Sequence, residues 1–183
     1  IALTHSVEIS GDTNNDGKAD ITISGNDASG IFRINGDNTN ADLVSLNLTG
    51  GNAYTGAAAY ISGSGSLDIL NCTISGNSAS RGGAIGSIYG QVRVVNSLLT
   101  GNTSTVNGGA LFAFGANITL VNSTADGNST NGSGGAIFVN NSVLSLVNST
   151  ITGNQADADG VSGSNGGGIA FTASTATVLN SII

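Results

Sequence analysis

The chain has 183 residues with 29 Gly, no Pro, Met or Trp, and only 8% charged residues, far below the roughly one quarter usual for a globular protein. No composition break divides it, so it reads as one domain. A net charge of -7, with Lys18, Arg33, Arg81 and Arg93 as the only basic residues, leaves no stripe to follow a phosphate backbone and excludes nucleic acid, while no apolar run reaches the ~18 residues of a membrane span.

Beginning at Ile1 without an initiator Met, the chain reads as a mature or excised piece. Residues 1–46 form irregular first coils. Val7 to Ser10 and Ile21 to Ser24 are predicted strands, and between them lies Asp12-Thr-Asn14-Asn-Asp16-Gly17-Lys18-Ala-Asp20. Oxygen ligands at alternate positions, with Gly after the third, are what a short loop offers Ca²⁺; Asp12, Asn14, Asp16, Asp20 and the Lys18 carbonyl are the candidate ligands. The same residues equally suit an acidic hairpin turn, and no Glu stands at the twelfth position of an EF-hand. His5 stands alone near the N-terminus as the single histidine and reads as structural.

From residue 47 to 183 the chain repeats. Leu67 to Asn71, Val92 to Asn96, Ile118 to Asn122 and Leu144 to Asn148 each end an alternating apolar strand on Asn, about 25 to 26 residues apart, and Asn180 closes a fifth. Gly82-Gly-Ala, Gly108-Gly-Ala, Gly134-Gly-Ala and Gly166-Gly-Gly precede these Asn residues, and Gly76-Asn77, Gly101-Asn102, Gly127-Asn128 and Gly153-Asn154 follow them. Length variation falls between Gly-Asn and Gly-Gly, where 155–165 makes a long loop containing a weaker acidic copy, Asp157-Ala-Asp159-Gly160. The pattern predicts an all-β, right-handed parallel β-helix of about seven three-strand coils.

Alternation places Leu67, Ile69, Val92, Val94, Ile118, Leu120, Leu144 and Leu146 inside. Continued one step, it also turns Asn71, Asn96, Asn122, Asn148 and Asn180 inward as a buried amide ladder. Cys72, beside the first of these, reads as a small residue of the repeat, since one cysteine makes no disulfide and fits no metal spacing. Leu70, Val95, Val121, Val147 and Leu179 then project outward as an aliphatic stripe, which either marks a partner surface or is covered by a loop or by the N-terminal region. Asp68 and Arg93 share an outward column, where a cross-coil ion pair is expected. Phe112, Phe114, Phe138 and Phe171 lie on the strand after Gly-Gly and are expected in or beside the core.

These motifs resemble those of bacterial right-handed β-helix repeat proteins of the cell surface, including the polymorphic outer membrane proteins and autotransporter-adhesin passengers. The resemblance rests on GGA(I/L) at Gly82, Gly108 and Gly134, on FxxN at Phe114 to Asn117 and Phe138 to Asn141, and on Asn148-Ser-Thr-Ile-Thr-Gly-Asn154, and it runs over about residues 43–183. It implies an extracellular structural or adhesive module of a bacterial surface, meeting a surface glycan or receptor; separately, the lack of a polar cap and a last coil that stops at Leu179 to Ile183 lead to the expectation of a filament, polymerising end to end or continuing in a longer chain. The alternative reading is a polysaccharide lyase, a glycosidase or a glycan-binding β-helix. With few carboxylates and few aromatics to build a cleft, the expectation is a non-enzyme with no cofactor besides Ca²⁺.

Overall fold

The structure, a computed structural model, describes residues 1–161 and 163–183. Short strands wind into a parallel β-helix whose wall has four faces. Sheet I contains Ala2–Leu3, Phe32–Asn35, Ala59–Ser62, Ile85–Ile88, Leu111–Phe114, Ile137–Asn140 and Ile169–Thr172. Sheet II contains Val7–Ser10, Asn40–Val44, Ser66–Leu70, Gln91–Val95, Asn117–Val121, Val143–Val147 and Thr175–Leu179. Sheet III contains Ile21–Ser24, Leu46–Thr49, Thr73–Ser75, Leu98–Thr100, Thr124–Asp126 and Thr150–Thr152, and sheet IV contains Asn52–Thr55, Ser78–Arg81, Thr103–Asn107 and Ser129–Thr130.

Two counts differ from the sequence reading. Each complete coil has four strands rather than three, because the link between Gly-Asn and Gly-Gly itself pairs as sheet IV. Its short polar segments, such as Ser78–Arg81, carry no apolar alternation to betray them. Sheets I and II have seven strands, sheet III six and sheet IV four, so about five turns close on every side, the last of them through the isolated bridge between Ser129 and Gln155. The seven expected coils therefore correspond to seven passes, of which the first and last are partial.

The core is a column of aliphatic layers. Leu67, Ile69, Val94, Leu120, Leu144 and Leu146 of sheet II have no exposed surface, and Ile85, Leu111 and Ile137 of sheet I and Ile74 and Leu99 of sheet III face them. The expected inward set of sheet II is thus buried. Strands of equal register lie over one another, as in Val92 over Leu67 and Ile118 over Val92, so each layer repeats the one below.

The corners explain the Gly-Gly-Ala signature. A Cβ on Gly83 would sit 2.3 Å from the Gly109 carbonyl and 2.4 Å from that of Thr103, so the backbone of adjacent coils approaches too closely there for any side chain. At Gly127 the constraint is conformational: φ is +62° and nothing lies within 4 Å of an added Cβ.

Candidate functional site

Two asparagine columns run along the molecule, and the one that the sequence reading turned inward is the outer one. Asn71, Asn96, Asn122, Asn148 and Asn180 are exposed, with φ between 49° and 54°, the left-handed region that asparagine tolerates. That turn breaks the alternation one step after Leu70, Val95, Val121 and Val147, which is why extrapolating it placed these amides inside. They still stack: Asn96 Nδ2 donates to Asn71 Oδ1 and Asn122 Nδ2 to Asn96 Oδ1, each at 3.3 Å.

The inward column is the Asn of the Gly-Asn pairs. Asn77, Asn102 and Asn128 are 0 to 1% exposed. Each side chain bonds both backbone and the amide of the next coil. In Asn102, Oδ1 accepts from the backbone N–H and the Nδ2 of Asn77 at 3.1 and 3.0 Å, and Nδ2 donates to Asn128 Oδ1 and to the Ile74 carbonyl, both at 3.0 Å. Asn128 repeats this toward Asn154. Among the described residues no buried side-chain nitrogen or oxygen lacks a partner. The sequence held a signal for this column, since Asn occupies that place in each Gly-Asn pair as regularly as in the other landmark.

A serine column accompanies it. Ser97, Ser123, Ser149 and Ser181 follow the exposed asparagines, and their hydroxyls accept from the backbone N–H one coil earlier. Cys72 fills the same place, 2% exposed, with Leu46 N–H directed at Sγ at 3.4 Å. Burial pushes its thiol pKa up, against hydrogen bonds with Leu46, Leu70 and Ser45 that lower it.

At the acidic loop, Asp12 accepts from the backbone N–H of Asp16 and Gly17, Asn14 Oδ1 from Asp16 N–H, and Asp16 from Lys18 N–H. Asp20 accepts from the hydroxyl and N–H of Thr13, and these bonds hold its carboxyl below the ordinary range. The carboxylates close turns rather than converge, and among the described residues no three His, Cys, Asp or Glu side chains come together as a metal site.

On sheet II, Glu8, Asp42, Asp68 and Arg93 stand in successive coils of one column. Burial, and then the Asp42 charge, raise the Asp68 pKa, with Arg93 opposing. The aliphatic stripe is present in register, half-buried at Leu70, Val95, Val121 and Val147 and 53% exposed at Leu179.

The feature that the sequence reading missed lies where sheet IV meets sheet I. Two depressions of about 480 and 470 Å³ adjoin there, with Tyr54, Thr55 and Tyr60 lining both, and together they form the groove. The Arg33 guanidinium lies 5.3 Å from the centre of the Tyr60 ring. The Arg81 guanidinium lies 5.5 Å from that of Tyr54 and 5.8 Å from that of Phe112, which stacks on Phe138 at 5.8 Å and 1°. Phe112 is buried, 8% exposed, as expected, and Phe138 is half-buried; both alternate with the core residues Leu111, Ala113, Ile137 and Val139 and line the second depression. Phe114 meets Tyr89 edge to face at 5.7 Å, and Phe171 is 46% exposed.

Comparison with known proteins adds one match. The Chlamydia polymorphic membrane protein (Chlamydia_PMP) repeat matches residues 71–89 and 96–113. Each matched stretch begins at an exposed asparagine, passes the buried one and ends on the sheet I strand after Gly-Gly-Ala, so what is shared is the run of corners. The chain is thus similar to β-helix repeat proteins of the bacterial surface. No curated protein and no solved structure matches it, and among the described residues no helix is long and apolar enough to cross a membrane.

Proposed function

We propose that the chain is an adhesive and structural module of a bacterial cell surface, a stiff β-helical shaft that displays its outer columns to the surroundings and performs no catalysis. The observation that supports this reading most is the buried Asn77, Asn102, Asn128 column, which binds each coil to the next through side-chain amides as well as backbone. Such coupling gives a rod with extended faces rather than a hinged cleft. The match of residues 71–89 and 96–113 to a membrane-protein repeat supports the location.

The test is surface labelling joined to adhesion. Antibody against the purified chain is expected to label intact, unpermeabilised cells of the source organism, and beads coated with the chain are expected to adhere to target cells more than beads coated with an unrelated acidic protein. Labelling only after permeabilisation would end the reading.

The reading extends to self-association. Sheets I and II each stack seven parallel strands in register, and a heterologous, head-to-tail contact of the same kind extends such a stack along its axis. Sedimentation velocity is expected to show end-to-end oligomers that grow with concentration, and a monomer at all concentrations would count against this part.

A further inference from the structure

We infer that the groove between sheets IV and I binds an anionic sugar polymer, with Arg33 and Arg81 as its charge-recognising groups. This deepens the adhesive reading by naming a ligand class, and depends on it only for the setting in which binding occurs.

The first ground is charge. The chain carries -7 overall and has four basic residues, yet two of these line the groove and no Asp or Glu does. A cationic trough on an acidic body selects an anion and repels the rest of its own kind.

The second ground is how the two arginines are held. Both lie against aromatic rings, Arg33 on Tyr60 and Arg81 on Tyr54 and Phe112. A guanidinium packed on a ring keeps its planar fork oriented and weakly hydrated, the state that suits bidentate bonding to carboxylate or sulfate. Within the fold, each uses a single one of its five N–H donors, Arg33 Nε toward Asn35 Oδ1 at 2.9 Å and Arg81 Nη1 toward the Tyr54 hydroxyl at 3.0 Å.

Direction and depth select a glycan over a peptide. The groove crosses the strands of sheet I, whose backbone groups already pair between coils, so an extended peptide cannot add there as another strand. Recognition falls to side chains: the rings and hydroxyls of Tyr54 and Tyr60, Thr55, and the amides of Asn107 and Asn140. Depth is that of the two depressions, about 480 and 470 Å³; Gly86, between Tyr60 and Phe112 in the column, is already covered by Thr55, whose Cγ2 would lie 2.4 Å from an added Cβ. Hydroxylated rings bearing acid groups match this mixture of apolar, amide and cationic surface.

The test is calorimetric titration of the purified chain with oligogalacturonate, with a sulfated heparin-derived oligosaccharide, with a neutral glucan oligomer and with polyglutamate. At least one anionic sugar is expected to bind, losing about tenfold or more in affinity from low to high salt, while the neutral glucan and polyglutamate do not; the uronate and sulfate arms separate the two sources of negative charge. Arg81→Ala and Arg33→Ala are each expected to weaken binding by about tenfold or more, and Arg93→Ala on sheet II to leave it unchanged. Arg33 is exposed, so Arg33→Ala carries the test should Arg81→Ala melt early. Binding of neither anionic sugar, equal binding of polyglutamate, or a loss in Arg93→Ala matching that in Arg33→Ala overturns the inference. If cells label and beads adhere while both sugars fail, the surface reading stands and this one falls.

Discussion

Asn77 and Asn102, in adjacent coils, are joined twice: the backbone N–H and the side-chain Nδ2 of Asn77 both donate to Oδ1 of Asn102, at 3.1 and 3.0 Å. Replacing Asn102 by Ala strands the Asn77 backbone N–H, takes one acceptor from Asn77 Nδ2, which keeps the Leu48 and Ser75 carbonyls, and removes one donor each from the Ile74 carbonyl and Asn128 Oδ1. A loss of about 3 kcal/mol is expected in urea unfolding. Asn96→Gly, in the exposed column at φ +50°, is expected to cost less than about 1 kcal/mol, because glycine adopts that φ freely. Equal losses in the two variants would mean that the buried column is not the stronger tie.

The thiol of Cys72 stands where other coils carry a serine hydroxyl. Cys72→Ser is expected to change stability by less than about 1 kcal/mol, since serine makes the same bonds one coil on. Because burial raises the thiol pKa, alkylation by iodoacetamide at pH 8 is expected to be slow in the native protein and fast in denaturant. Rapid native labelling would contradict the burial.

Asp68 has a folded pKa above its ordinary value, caused by burial and then by Asp42. The fold therefore favours its protonated form: that contribution is fully present below the unfolded pKa and is lost as pH rises through the folded one. At pH 7 the ionised carboxylate opposes folding, so Asp68→Asn is expected to raise the melting temperature by roughly 1 °C, a small figure because the group is largely solvated. At pH 3 the difference is expected to vanish. A melting temperature that falls at pH 7 would show that the Arg93 attraction prevails.

Two glycines separate steric from conformational demand. Gly83→Ala places a methyl against the Gly109 and Thr103 carbonyls and is expected to cost about 3 kcal/mol or more. Gly127→Ala meets no atom and pays only for φ +62°, about 1 kcal/mol. Thermal melts of the two variants give the comparison directly.

The fold was legible because its signal is redundant. Leu67, Val92, Ile118 and Leu144 recur at one place in the repeat and occupy one layer column in space. What failed was the step past Val95, where a single residue of positive φ at Asn96 reverses which side chains face inward, and alternation has no term for that. Sheet IV escaped notice because segments such as Ser78–Arg81 are polar and are held by their neighbours rather than by their own pattern. The groove was invisible for a third reason. Arg81 and Phe112 are distant in sequence and in different columns, and only the winding of the wall brings the cation over the ring.

The register of the columns has a consequence for how such a protein changes length. Because Asn77 meets Asn102 and Asn102 meets Asn128 by the same bonds, a coil added or removed as a whole leaves a junction that is already complementary. A gain or loss of a few residues falls where the length of the repeat already varies, between Gly-Asn and Gly-Gly. Genes of this architecture can therefore drift in steps of one turn, producing shafts of different reach without redesigning a single contact.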